Sequence, residues 1–217
     1  NVFHENLMQS GIKIKIVPLK NIYNPLNIFY IRKYIIEEKY NIVHAHLFPT
    51  INWVSIASML IFKNKPKFIM TEHSTFNKRR RKRYLRFIEK IIYSNYDKII
   101  SISQKTQENL LAWLSPRKND LNKFVVVENG INIDRFVDAL PYKKKEICNE
   151  FDDNTKLICM IGSFSEQKDQ STLIKAMQDL PKNIQLLLIG EGPLKQENEN
   201  LAKKIKVKNR VHFLGFR

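Results

Sequence analysis

The sequence predicts an α/β protein built on parallel sheets with helices on both faces, and three observations predict it. Short apolar runs of strand length alternate with longer stretches of helical spacing along nearly the whole chain. Parallel strands need crossover connections, and a helix after each strand supplies them. With 43% hydrophobic and 11% aromatic residues among 217, the chain can bury cores of its own and is not a disordered segment. Several apolar runs also end abruptly at glycine or histidine, and ligands of such sheets gather at the carboxyl ends of strands.

Residues 1–10 read as the end of a helix, since Val2, Phe3 and Leu7 share a face and Gly11 stands where a C-terminal glycine would. Residues 12–19 alternate Ile12, Ile14 and Ile16 with Lys13 and Lys15, the period of a strand with one wet face near a sheet edge. Helix 24–40, strand 42–46, helix 50–62, strand 67–72, helix 78–93, strand 98–103, helix 105–114 and strand 123–128 follow. Residues 116–123 are polar and turn-rich, and Asn129 and Gly130 form a strong turn pair. Pro141 and the charges of 143–146 suit a linker with a short helix, which predicts a first domain over 1–140, a hinge over 141–154 and a second domain over 155–217. In that second part strand 157–161 leads to a helix bearing Ser171, Leu173, Ile174, Met177 and Leu180 on one face. Strand 184–189, helix 194–205 and strand 211–214 complete half of a second α/β domain.

The net charge of +16 implies an anionic partner: nucleic acid, a phospholipid surface or a phosphorylated ligand. Cys148 and Cys159 form no disulfide framework and no set of metal-ligand pairs, which points to a reducing compartment. The longest apolar stretch, 51–62, is about half of the roughly 20 residues needed to span a bilayer. A soluble or peripheral cytoplasmic protein is expected, at the inner face of the plasma membrane if peripheral.

Three stretches carry candidate chemistry. In KLICMIGSFSEQKD, 156–169, a strand turns at Gly162 and leads through Lys168 into a helix. Backbone amides, a helix N-terminus and a cation converging there would bind phosphate, although an ordinary strand-to-helix turn has the same outline. His44 and His46 share one side of the strand IVHAH, and His73 closes the neighbouring KFIMTEH. Three imidazoles would suit an open zinc site of a hydrolase, but no carboxylate follows at ligand spacing apart from Glu72, which should point away from His73. The run NKRRRKRYLR, 77–86, holds Lys78, Arg79, Arg80, Arg81, Lys82, Arg83 and Arg86, with Phe87, Ile88, Ile91 and Ile92 behind it. One helix with a cationic end and an apolar stripe would adsorb to an anionic membrane or acceptor surface, or pack its stripe on its own sheet. A nucleic-acid-binding module is the alternative from another class, disfavoured because no aromatics interleave the basic run.

Together with VVVENGINIDRF at 125–136, LLLIGEGPL at 186–194 and VHFLGFR at 211–217, the turn at 156–169 resembles the retaining family 4 (group 1) glycosyltransferases in order and spacing. The resemblance runs from about Ile14 to the last residue. It implies the GT-B fold, two Rossmann-like parallel-sheet domains, both incomplete in this chain. It also implies transfer of a hexose from a UDP- or GDP-sugar, with retention, to a lipid-linked or polysaccharide acceptor in bacterial cell-surface glycan synthesis. The nucleotide sugar is a substrate, and neither metal nor cofactor is expected. TEHS at 71–74 resembles the loop whose histidine approaches the donor sugar, which makes His73 the catalytic candidate and leaves His44 and His46 as polar or core residues. Gly162, Ser163, Lys168, Gly190, Glu191, Gly192, Phe216 and Arg217 fall in the nucleotide-sugar-binding positions. Ser163 stands where the family pattern has an arginine, so neutralising a diphosphate would need a supplementary cation. The family's N-terminal glycine-rich loop and C-terminal paired glutamates have no counterpart, and the expectation is a central piece of a longer enzyme, itself a poor catalyst.

Overall fold

The structure, a computed structural model, describes residues 4–75 and 77–217, including all side chains there except those of His4, Glu5, Asn6, Lys78 and Arg135. Val2 and Phe3, offered above as part of a helical face, lie outside the described residues, and so does the side chain of Lys78. The chain divides into two compact units, Asn1–Asn132 and Ile133–Arg217.

The first unit is a parallel sheet in the order β1 (Ile42–His46), β2 (Lys67–Glu72), β3 (Lys98–Ser101), β4 (Phe124–Val126). Its helices are α1 (His4–Gln9), α2 (Asn27–Glu38), α3 (Thr50–Met59), α4 (Leu85–Ser94) and α5 (Gln104–Leu114). The register places Ala45 beside Met70, Met70 beside Ile99 and Ile99 beside Phe124. The first three of that row are buried, and Phe68, Val54, Tyr96 and Leu110 pack with them into one core. Burial of about 25 cal/mol per Å² of apolar surface holds the layers together. Two polar contacts tie α3 to α4 and the turn after it inside this core: Ser55 Oγ donates to the Ile92 carbonyl at 2.9 Å, and the Tyr96 hydroxyl to the Ile51 carbonyl at 2.6 Å.

The second unit begins with two single turns, α6 (Asp134–Val137) and α7 (Lys144–Ile147). A parallel sheet follows in the order β5 (Lys156–Ile161), β6 (Ile184–Ile189), β7 (Val211–Gly215), with α8 (Gln170–Ala176) and α9 (Lys195–Lys204). Leu186, Leu188, Phe164, Ile174, Met177, Ala202 and Val211 form its core.

Two sequence expectations are corrected. Residues 12–19 form no strand, because their alternation serves an ion-pair cluster in place of a ladder. Lys13 and Lys15 both reach Glu38 at the end of α2, and these two hydrogen-bonded ammonium groups hold the Glu38 carboxyl down at about 2. Nor is 78–93 one helix. Asn77 accepts from the Arg79 amide through its side chain and opens a 3-10 turn, Lys78–Arg81, after which Lys82 is extended and α4 starts afresh at Leu85. Adjacent cations repel at helical spacing, and the tighter turn lets Arg79 and Arg80 reach carboxylates of the protein itself. The apolar stripe is divided as well. Helix α4 turns Glu89, Ile92 and Tyr93 to the core, and leaves Phe87, Ile88 and Ile91 exposed.

Candidate functional site

In the second unit the carboxyl ends of all three strands meet through glycine. Gly190 has φ +142°, and a Cβ there would lie 2.1 Å from the Gly162 carbonyl oxygen. A Cβ on Gly192 would lie 2.5 Å from the oxygen of Phe164. Only hydrogen fits at these crossings. The strand exits are then tied by backbone hydrogen bonds: Gly162 N to Ile189 O at 2.9 Å, Phe164 N to Glu191 O at 3.1 Å, and Gly190 N to Gly215 O at 2.8 Å. Lys168 is exposed, and its aliphatic stem lies over Gly162, within 3.5–3.6 Å of where a Cβ would stand. The residues that the sequence separates by up to 30 positions, Gly162, Ser163, Lys168, Gly190, Glu191 and Gly192, therefore share one turn cluster at the end of the sheet.

Two features differ from the simple picture of a phosphate at a helix start. Helix α8 is only seven residues long, and Asp169 stands at its N-terminus. Its carboxylate accepts from Thr172 Oγ1 and Ser171 Oγ, both at 2.7 Å, and these two bonds hold the acid below its ordinary value. Lys168, not the helix end, is the cation the turn presents. Glu191 is engaged with Lys195 at 2.7 Å, while Phe216 and Arg217 follow β7 and are exposed.

In the first unit the histidines gather at the carboxyl ends of β1 and β2. His46 Nδ1 and His73 Nε2 are 3.0 Å apart in a hydrogen bond, and His44 Nε2 meets Thr71 Oγ1 at 2.8 Å. The rings of His44 and His46 lie 4.1 Å apart, centroid to centroid. Burial first, and then the neighbouring imidazoles, push both His44 and His46 below the ordinary histidine value. The cluster spends ring nitrogens on each other and on a hydroxyl. Among the described residues no group of three or more His, Cys, Asp or Glu side chains is placed to hold a metal ion. The sequence predicts that the three imidazoles lie near one another; the direct hydrogen bond between His46 and His73 is what the structure adds. The register sets His46 beside Thr71, two residues before His73, and so brings the two strand ends together.

The loop carrying His73 rests on buried charge. Glu72 ends β2 facing inward, opposite to exposed His73 as the strand alternation predicts. Its carboxylate accepts from Arg80 Nη2 at 2.7 Å, Tyr93 Oη at 2.8 Å and the Ser74 amide at 3.2 Å. Arg80, whose side chain is only 10% exposed, also lies 3.7 Å from Glu89, and Arg79 lies 3.6 Å from Glu89 and 3.7 Å from the Phe48 ring centroid. Arg86 is half-buried and donates to Ser115 Oγ at 2.6 Å. The basic run is therefore divided. Arg79 and Arg80 pair with the buried carboxylates Glu72 and Glu89, which corrects their reading as membrane or acceptor surface, while Arg86 meets the exposed Ser115 and Arg81, Lys82 and Arg83 are exposed. No helix among the described residues is long and apolar enough to cross a membrane.

Comparison with known proteins gives this geometry its setting. The chain is 26% identical over 192 residues to an uncharacterized glycosyltransferase of Methanocaldococcus jannaschii, covering 82% of this chain and 47% of that protein. It is 23% identical over 172 residues to the N-acetylgalactosamine-N,N'-diacetylbacillosaminyl-diphospho-undecaprenol 4-alpha-N-acetylgalactosaminyltransferase of Campylobacter jejuni, covering 76% of this chain and 44% of that enzyme. The chain thus spans less than half the length of either relative. Its fold matches the crystal structure of Anabaena HepE in complex with UDP-glucose with a TM-score of 0.81 at 18% identity, over 100% of this chain and 59% of that one. The two parallel-sheet units are those of GT-B glycosyltransferases. The family model for glycosyl transferases group 1 matches residues 142–217, and the model for Glycosyltransferase Family 4 matches residues 5–135, more than half of the chain, so the chain belongs to glycosyltransferase family 4.

Proposed function

We propose that the chain serves the retaining transfer of a hexose from a UDP- or GDP-sugar to a lipid-linked or polysaccharide acceptor, in bacterial surface-glycan synthesis. The observation that carries this reading is the turn cluster of the second unit, where Gly162 and Gly190 meet backbone to backbone and Lys168 lies across them. Breaking the bond from the anomeric carbon to a diphosphate puts negative charge on the leaving oxygens, and a cation held there stabilises the transition state more than the ground state. Lys168 takes that role and Ser163 offers a hydrogen bond. Gly190 and Gly192 keep side chains out of the nucleotide's way, Glu191 reaches the ribose or donor, and Phe216 and Arg217 border the base. His73, exposed at its strand end, contacts the donor sugar. The segment 141–154 acts as the hinge, and no metal takes part.

Two relatives support the substrate classes: HepE was crystallised with UDP-glucose, and the Campylobacter enzyme is named for a diphospho-undecaprenol acceptor. A lipid-linked acceptor would bring the protein to a membrane, and the exposed face of α4 fits that role. Calorimetric titration of UDP and of GDP into the intact protein tests the central claim. Replacing Lys168 by Ala removes a charged partner, worth about 1.5–3 kcal/mol, so diphosphate affinity should drop about 10- to 100-fold. Parental affinity in Lys168→Ala would refute the reading.

A further inference from the structure

We propose that Arg80 is a positioning residue for His73, acting through the buried carboxylate of Glu72. The inference rests on the reading of His73 as the donor-sugar contact and adds the residues that hold it in place.

The carboxylate of Glu72 spans the residue that follows it. The side chain leaves the backbone immediately before His73, and Oε1 accepts from the amide of Ser74 immediately after it, at 3.2 Å. The main chain on both sides of His73 is therefore tied to one carboxylate, and whatever holds that carboxylate sets where the imidazole stands. Arg80 Nη2 at 2.7 Å and the Tyr93 hydroxyl at 2.8 Å hold the other oxygen. Glu72 is 5% exposed and Glu89 is 4% exposed, so two carboxylates are buried near one another. Unpaired buried charges of like sign are costly. Arg80 reaches both, Arg79 lies 3.6 Å from the other oxygen of Glu89, and the two guanidiniums match the two acids in charge. Burial lowers the Arg80 pKa, but Glu72, Tyr93 and Glu89 together more than offset this, so the guanidinium stays charged. The remaining support also converges on this stretch. Asn109 Nδ2 donates to the Thr75 carbonyl at 2.9 Å, and Trp113 Nε1 donates to Glu89 at 2.8 Å, so α5 holds both the loop and the second acid. Against this fixed frame His73 is exposed, and His46 is its hydrogen-bond partner.

Without Arg80 the Glu72 carboxylate would lose its charged partner and turn toward water, and the tie to Ser74 would loosen. A displacement of about 1 Å at a substrate-contacting group can lower turnover about 100-fold. The test compares the intact protein with Arg80→Met, Arg80→Lys, Tyr93→Phe and His73→Ala. It reads kcat and KM with whichever of UDP-glucose and GDP-mannose the parent turns over, and the His73 imidazole resonances by NMR. Arg80→Met should lower kcat by about 10- to 100-fold with donor KM changed by less than about threefold, and should move the His73 resonances. Arg80→Lys should recover part of both effects. Should Arg80→Met fail to fold, Tyr93→Phe removes a bond to the same carboxylate oxygen and should give a severalfold loss with a smaller resonance shift. Folded Arg80→Met, or Tyr93→Phe in its place, with parental kcat and unmoved His73 resonances would overturn the proposal. If that result came with an inactive His73→Ala, only this inference would fall. If His73→Ala itself transferred sugar like the parent, the reading of His73 would fall first.

Discussion

At the scale of single residues, the glycines of the second unit show most directly how side-chain absence becomes structure. Gly190 is constrained twice, by a φ of +142° and by the carbonyl of Gly162 at 2.1 Å from any added Cβ. Backbone cannot retreat as the tip of a lysine can. Gly190→Ala should therefore destabilise the second unit by about 3 kcal/mol, the sum of left-handed strain and overpacking. Chemical denaturation would read this as a lower midpoint at an unchanged slope, and a midpoint within experimental scatter of the parent would contradict the packing described. Gly162 offers a contrast. A Cβ there would meet only the flexible stem of Lys168 at 3.5 Å, so Gly162→Ala should cost little stability and act mainly by moving that lysine.

At the scale of elements, α4 is read differently in sequence and in space. Its residues 87, 88, 91 and 92 look like one apolar stripe, yet Ile92 faces the core with Glu89 and Tyr93, while Tyr84, Phe87, Ile88 and Ile91 are exposed along the opposite face. Lys82 and Arg83 precede that face and are exposed too. A helix with an outward apolar face beside cations suits an anionic bilayer surface, where each cation contributes about 1 kcal/mol. Co-sedimentation with phosphatidylglycerol vesicles should weaken about 30-fold in Lys82→Ala/Arg83→Ala, the equivalent of roughly 2 kcal/mol. Added salt should weaken the parent in the same sense. Binding that ignores both the charges and salt would leave the membrane reading of this element without support.

At the scale of the whole molecule, proton uptake is set by clusters. His44 and His46 have folded pKa values below their unfolded ones, through burial first and then the neighbouring rings. Below the ordinary imidazole value of about 6.5, the unfolded chain takes up protons that the folded first unit resists, so stability falls with falling pH. The loss begins near that value and is complete only below the lowered folded values. Urea midpoints between about pH 7.5 and 5.5 should decline in the parent and decline less in His44→Gln/His46→Gln. Equal slopes in the two proteins would show that other groups govern the acid response.

The sequence by itself determined the α/β class, the order of strands and helices after residue 24, and the glycine and lysine positions of the second-unit turn. Those follow from periodicity and from the backbone freedom of glycine, which are local properties of the chain. It also placed Glu72 and His73 on opposite sides of one strand. Only the tertiary structure decided that residues 12–19 pair through lysines with Glu38 instead of joining a sheet, and that the basic run divides between interior and surface. The same holds for the bond between His46 and His73. Each of these depends on a partner about 25 or more residues away or on another element, such as Glu38 for Lys13 and Tyr93 for Glu72. A charged side chain goes where a compensating charge is buried, and local spacing carries no record of where that charge will be.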